Sequence, residues 1–340
     1  MKTRAFLPAL QILRGFAALM VVFHHMWHQV SFFFSVDSTF LDGVAAAGKT
    51  GVDFFFVLSG FIICHAHMDK RGEPSAIREY ALGRVLRIYL PYLPIGIGML
   101  AAYHMYPGLS DANRDVSVLK SLTLLPGPGN PALSVAWTLV FEMFFYAVFV
   151  LFFMTRRWFG WIMGIWALLI VTGWGKNPFF FSTYNLEFML GICGAFAYAG
   201  RLPVKRGVLA VVLLLVAVGL YWCPSILDDK LMRGAFFLSL LLLAADSPLN
   251  RIAPRNILMV IGNASYSIYL IHDPEISCWI RILPKHNGTA YISFICLLVS
   301  LSVCVTGILY SRVFEQSLLK RVKSLIRTPM GKPAGIRIAS

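Results

Sequence analysis

Residues 132–154 read ALSVAWTLVFEMFFYAVFVLFFM, twenty-three positions with a single charged side chain, Glu142. At about 1.5 Å of rise per residue, a helix of this length runs about 34 Å and crosses the roughly 30 Å hydrocarbon layer of a bilayer. A segment apolar on every face has no side to turn towards water. The same texture recurs at 8–30, 44–65, 86–105, 158–174, 182–199, 207–223, 231–245, 256–273 and 290–312, the stretches at 158–174 and 231–245 being short. The chain therefore reads as an all-α protein, a polytopic integral membrane helical bundle of about ten transmembrane helices. Composition points the same way: 58% of the 340 residues are hydrophobic, 27 are Phe and only 14% are charged. A soluble domain, with about a quarter of its residues charged, could not hide that much apolar surface. Intrinsic disorder and a secreted disulfide scaffold are excluded on the same ground. Connections are brief and no internal repeat is found, so one membrane domain is expected over 1–319, followed by a basic cytoplasmic tail over 320–340.

A net charge of +14 on a soluble protein would suggest nucleic acid, but here it reports sidedness. Twenty of the 30 Lys and Arg residues fall on one set of ends and loops, among them Lys2, Arg4, Lys70, Arg71, Arg156, Arg157, Arg201, Lys332 and Arg337. The opposite loops hold seven, including Arg114, Lys120, Lys230 and Arg281, while Arg14, Lys49 and Arg312 lie inside the apolar stretches. The positive-inside rule then places both termini in the cytoplasm. No nucleic-acid partner is expected; the membrane lipids are. The first stretch is no cleaved signal peptide, because Arg14, His24, His25 and His28 interrupt it. The six cysteines (64, 193, 223, 278, 296 and 304) lack CxxC spacing and read as small apolar residues.

Charged side chains within spans cost several kcal/mol unless paired or hydrated, which makes them guides to function. Arg14 and His25 are eleven residues apart, about 1100° of helix, so they share one face about 16 Å apart along the axis. Snorkelling of Arg14 and an interhelical hydrogen bond at His25 are the plain alternatives. Asp53 sits in GVDFFFVLSGF (51–61), where Lys49 is four residues away and able to pair with it; Gly51 and Gly60 permit close helix contact. Ser59 has no base beside it in sequence. Arg84 and Arg87, with Arg78 upstream, stand at the mouth of the third stretch, where they suit a phosphorylated ligand or lipid headgroups. Glu142 is expected to neutralise an Arg from another helix. Ser265, Tyr269 and His272, at i, i+4 and i+7, form a polar stripe that must face the bundle interior, more in keeping with packing than with catalysis. His25 and His28 lie near the membrane face opposite His65 and His67, so no metal site is expected.

Together these residues resemble the membrane acyltransferase family 3, multi-span enzymes that O-acylate sugars and other acceptors. The resemblance runs through Leu13-Arg14-Gly15 with His25, the Gly51–Phe61 block, Arg84-x-x-Arg87-Ile88, Trp137 with Glu142 and Tyr146, and Ser265-Tyr266-Ser267-x-Tyr269-Leu270-x-His272-x-Pro274. It implies an essential His25 partnered by Arg14 and Glu142, an acyl-donor site that includes Arg84 and Arg87, and supporting roles for Asp53, Ser265, Tyr269 and His272. It implies no bound cofactor, with acetyl-CoA or a related acyl-CoA as donor substrate and a carbohydrate or lipid-linked glycan as acceptor. Met143, where many relatives carry a second acid, resembles the branch linked to exopolysaccharide modification, and a bacterial inner membrane is the implied location. A transporter of a polysaccharide precursor or small solute is the competing reading. It predicts inverted repeats and matched helix breaks, and neither is found.

Overall fold

The computed structural model describes residues 7–70, 72–109, 114–202, 205–222, 229–245, 247–253 and 255–327. Lys2, Arg4, Arg71, Cys223, Lys332, Arg337 and the tail from 328 onward lie outside the described residues, as do the side chains of Lys230 and Lys323. Helices make up most of each apolar stretch named above, and no strand occurs among the described residues. The helices are α1 (Pro8–Phe34), α2 (Thr39–Gly48), α3 (Gly51–His67), α4 (Pro74–Met105), α5 (Val118–Thr123), α6 (Trp137–Met154), α7 (Arg156–Val171), α8 (Tyr184–Tyr198), α9 (Arg206–Trp222), α10 (Asp229–Ala245), α11 (Ile257–Ile282), α12 (Thr289–Tyr310) and α13 (Leu319–Arg327). A π-helical segment, Ser311–Leu318, joins α12 to α13.

Five segments among the described residues are long and apolar enough to cross a membrane: Pro8–Phe34, Thr39–His67, Pro74–Met105, Ser134–Met154 and Thr289–Val322. The count of ten expected from hydropathy is not confirmed. The stretch at 44–65 is two helices, broken at Lys49 and Thr50. The stretch at 86–105 begins at Pro74 instead, which places Arg78, Arg84 and Arg87 on helical backbone about one to four turns before Pro91. The stretch at 256–273 runs on through Pro274 to Ile282, carrying Asp273 and Glu275 into the helix. Residues 319–327 of the basic stretch are helical.

Two hydrophobic clusters hold the bundle together. The larger joins α3, α4, α6, α8 and α10, with Phe145 stacked on Phe188 (ring centroids 4.3 Å apart) and Phe56 edge-on to Phe145 (5.4 Å). The smaller locks α1 against α11 and α12 through residues such as Trp27, Val30, Ile268 and Val299. Large apolar side chains cover the outer surface: Trp161 is 71% exposed, Leu215 65% and Leu297 60%. In water this would be an aggregating surface; against hydrocarbon chains it is the expected one. Cys64 is buried, whereas Cys193 and Cys278 face outward.

Polar contacts between loops collect at two ends. At one end Arg156 donates to the Met68 carbonyl, Arg201 pairs with Asp69, and the Ala9 amide donates to Asn250 Oδ1 at 3.0 Å. At the other, Trp27 Nε1 donates to Asp42 Oδ1 at 2.7 Å and Arg114 donates to the Pro131 carbonyl at 2.6 Å. The first end joins the start of α1 to the turns after α3, α6, α8 and α10. The polar site runs inward from it.

Candidate active site

The site is built on the contact between α1 and α11. Gly15 faces Gly262, and a Cβ added to Gly15 would stand 3.0 Å from the Gly262 nitrogen, so the backbones touch where any larger residue would hold them apart. Gln11 seals this contact by donating from Nε2 to the Gly262 carbonyl at 2.8 Å, and its Oε1 accepts from Arg14 Nη1 at 3.2 Å. Arg14 is thereby turned into the bundle and away from the headgroup level. Gly51 brings α3 equally close to α1, where an added Cβ would lie 2.5 Å from the Ala17 carbonyl oxygen, and Gly60 abuts the Phe188 carbonyl of α8. Both contacts expected of these glycines are present.

Between α1, α3, α4, α6 and α11 lies a cavity whose polar lining includes Arg14, Ser59, Arg84, Arg87, Thr138, Glu142, Tyr146, Tyr266 and Tyr269. Its apolar lining includes Phe55, Leu58, Ile62 and Leu139. The spacing of Arg84 and Arg87 on α4 thus brings both guanidiniums to the same cavity as Arg14, which comes from α1. Arg84 is held by aromatic faces, its guanidinium carbon 5.5 Å from the Tyr146 ring centroid and 5.8 Å from that of Tyr80. Tyr80 in turn donates to the Tyr146 carbonyl at 3.1 Å. The expectation for Glu142 needs correction. Its carboxylate accepts a short hydrogen bond from the Tyr146 hydroxyl one turn along α6, and among the described residues it makes no direct ion pair. Its charge nonetheless acts on Arg14 and Arg87, as does that of Glu315 on the π-helical segment. Glu315 is fixed by hydrogen bonds from Ser267 at 2.9 Å and Ser311 at 3.0 Å.

Arg84 and Arg87 also line a second, more polar pocket with His67, Lys70, Glu79 and Tyr80. This pocket sits where α3 ends and α4 begins, at the end of the bundle rich in basic loops. The two arginines therefore stand between a polar mouth and a largely apolar chamber.

Further along α11 the stripe reaches His25. Ser265, Tyr269 and His272 are all buried, as their spacing predicts. Tyr269 shares a hydrogen bond with Thr138 at 2.9 Å, lines the cavity, and has its ring centroid 5.5 Å from that of His272. The His272 ring centroid is 5.1 Å from that of His25. No described residue hydrogen-bonds to either ring nitrogen of His25, so both are available to a ligand. His24, its neighbour, points elsewhere and donates to the Ala45 carbonyl of α2 at 2.8 Å. Arg14 and His25 thus mark two levels of one polar path, with Tyr269 and His272 connecting them.

Asp53 stands apart from this path. Its carboxylate pairs with Arg233 of α10 at 3.2 Å, so the pairing with Lys49 suggested by spacing gives way to a partner in a distant helix. It staples α3 to α10. Ser59 lines the cavity, but among the described residues no imidazole hydrogen-bonds to it. Sequence reasoning missed Asp273, whose carboxylate accepts from Ser134 and, at 3.2 Å, from Gln29 Nε2 immediately beside the two histidines. The available signal was its place next to His272, at the last position of the apolar stretch. Glu315 was missed because it lies past the last apolar stretch.

Comparison with known proteins adds a name to this geometry. A family model described as an acyltransferase domain matches residues 7–311. The exopolysaccharide production protein ExoZ of Rhizobium meliloti (strain 1021) is 32% identical over 253 residues, covering 68% of this chain and 77% of that protein. The acyltransferase MdmB of Streptomyces mycarofaciens is 27% identical over 329 residues, covering 84% of this chain and 82% of its own length. No solved structure matches the chain.

Proposed function

This chain belongs to the acyltransferase domain family, and from that premise we propose that it is an integral membrane O-acyltransferase that moves a short acyl group, acetyl first among the candidates, from cytoplasmic acyl-CoA to a hydroxyl of a cell-surface or exported carbohydrate. The observation that carries the reading is the convergence of Arg14, Arg84 and Arg87 on one cavity behind a polar mouth. Three guanidiniums in a nearly apolar bundle are costly unless an anion answers them, and phosphate is the anion their forked donors fit best. In this reading the nucleotide phosphates rest at Arg84 and Arg87, with Lys70 at the rim. The thin apolar chamber beyond takes the pantetheine arm and leads the thioester towards His25. The name of one relative, which speaks of exopolysaccharide production, supports an exported polysaccharide or its lipid-linked precursor as acceptor.

The chemistry asked of the protein is modest. The acceptor oxygen attacks the thioester carbonyl carbon, a C–O bond forms as the C–S bond breaks, and the hydroxyl proton ends on the departing sulfur. His25 serves as general base for that proton, or carries the acyl group itself as nucleophile. Arg14 adds positive charge at the donor end of the path, and Glu142, bonded to Tyr146, keeps the charge of the arginine cluster in balance. Ten spans with both termini in the cytoplasm, in a bacterial inner membrane, complete the proposal: the basic mouth then meets the cytoplasmic donor and His25 lies nearer the outer face.

The test is binding and turnover in nanodiscs. Acetyl-CoA should bind the wild type and be retained by His25→Ala, which should transfer no acetyl group. Absence of acetyl-CoA binding to the wild type would remove the donor assignment, and normal transfer by His25→Ala would remove the catalytic one.

A further inference from the structure

His272 is wholly buried on α11, and its two ring nitrogens have different surroundings. Nδ1 lies 2.6 Å from the carbonyl oxygen of Tyr269. A backbone carbonyl can only accept, so Nδ1 carries the proton and Nε2 bears the lone pair. That Nε2 is buried and has no hydrogen-bond partner among the described residues. An orphaned acceptor in a dry interior costs about 1–3 kcal/mol, so its persistence calls for a partner that arrives during function. The nearest polar ring is that of His25, with centroids 5.1 Å apart and planes inclined by 53°. At this spacing, two ring nitrogens turned towards each other come within the hydrogen-bond range of about 2.7–3.2 Å. Catalytic hydrogen bonds of this kind are often open before substrate binds.

We propose that His272 is a positioning residue for acyl transfer: its Nε2 lone pair receives the ring N–H of His25 and fixes the tautomer in which His25 turns its other nitrogen to the reacting atoms. The inference rests on the acyltransferase reading above and extends it with a second imidazole. In the reaction, the free nitrogen of His25 takes the proton of the acceptor hydroxyl as the C–O bond forms. The same proton is returned to the thiolate as the C–S bond breaks, so neither histidine is changed over a cycle. While His25 is an imidazolium, its second N–H stays bonded to His272. The Asp273 carboxylate, held next door by Ser134 and Gln29, adds negative charge to the same corner. This is the arrangement of a base oriented by a third group, with a neutral imidazole in place of the usual carboxylate.

Two variants separate the nitrogens. In His272→Asn the side-chain amide nitrogen takes the place of Nδ1 and keeps the bond to the Tyr269 carbonyl, but nothing occupies the Nε2 position. In His272→Gln the amide reaches the Nε2 position. With acetyl-CoA as donor and base-deacylated polysaccharide from the host as acceptor, His272→Asn should lose about 10²-fold or more in kcat, with the KM for acetyl-CoA unchanged. His272→Gln should keep at least ten times the kcat of His272→Asn. A purely structural His272 would give the opposite order, with Asn tolerated and Gln not, and that order would overturn the inference, as would wild-type kcat in His272→Asn. Because His25→Ala is assayed alongside, the two levels of the argument come apart. An inactive His25→Ala with a fully active His272→Asn removes only the positioning role, whereas a fully active His25→Ala removes the catalytic assignment beneath it.

Discussion

Gly262→Ala tests whether the α1–α11 contact positions the chemistry. A methyl group at Gly262 would point into the Gln11 carbonyl, overlapping its oxygen and lying 2.7 Å from its carbon. Ordinary carbon contacts begin near 3.4 Å, so the helices must part by roughly 1 Å, and the atom in the way is rigid backbone. Overpacking of this kind costs about 1–3 kcal/mol of stability. The functional cost is larger than that figure suggests. Parting the helices pulls Gln11 from the Gly262 carbonyl, loosens Arg14, and moves His25 relative to His272 on the facing helix. A misplacement of about 1 Å in a reacting constellation costs about 10²-fold in rate. The assay pairs thermal denaturation in detergent with acetyl transfer in nanodiscs. The controls are Gly164→Ala and Gly219→Ala, where an added methyl group meets nothing within 4 Å. The controls should match or slightly exceed wild-type stability, since Ala favours helix by about 1 kcal/mol over Gly. Gly262→Ala should lower kcat by about 10–100-fold while still folding. Wild-type turnover in Gly262→Ala would refute the claim that this contact sets the geometry of the site.

Other expectations follow from the same site. Arg84→Gln and Arg87→Gln should each raise the dissociation constant for acetyl-CoA by about 10–100-fold, measured by calorimetry in nanodiscs, because each removes a charge-assisted bond of about 1.5–3 kcal/mol; Arg78→Gln, away from the cavity lining, should leave it unchanged. Arg233→Ala removes one charge partner of the Asp53 carboxylate, which is only 5% exposed, and should lower stability in thermal denaturation with no change in KM for the donor. Removing both partners, in Asp53→Asn with Arg233→Ala, should recover part of that loss in a double-mutant cycle. Tyr146→Phe takes the hydroxyl from Glu142 and should weaken donor binding by about 1 kcal/mol, read by the same calorimetry.

Much of this arrangement is legible in the sequence because it is local. Hydropathy over 132–154 and its counterparts locates the helices, since membrane burial acts on each segment by itself. Helical phase places Arg84 with Arg87, and Ser265 with Tyr269 and His272, on single faces. What escapes is pairing across the bundle. Asp53 has Lys49 beside it in sequence but meets Arg233, because α10 packs against α3 at that level and supplies the closer charge. Glu142 was expected to pair with an arginine, yet the Tyr146 hydroxyl four residues on reaches it first. The corner formed by Gln29, Ser134, His272 and Asp273 draws on three separate segments, so no periodicity reports it. Glu315 enters the site only because a π-helical segment re-aims the chain after Tyr310, a departure from regular helix that hydropathy does not register.

The central claim is that this chain places an acyl group on a carbohydrate hydroxyl through His25. Mass spectrometry of the host's surface polysaccharide tests it most directly, comparing cells without the protein with cells given back the wild type or His25→Ala. The account predicts that each repeat loses the mass of one acyl group when the protein is absent, regains it with the wild type, and does not regain it with His25→Ala. An acyl pattern unchanged by loss of the protein, or restored in full by His25→Ala, would contradict it.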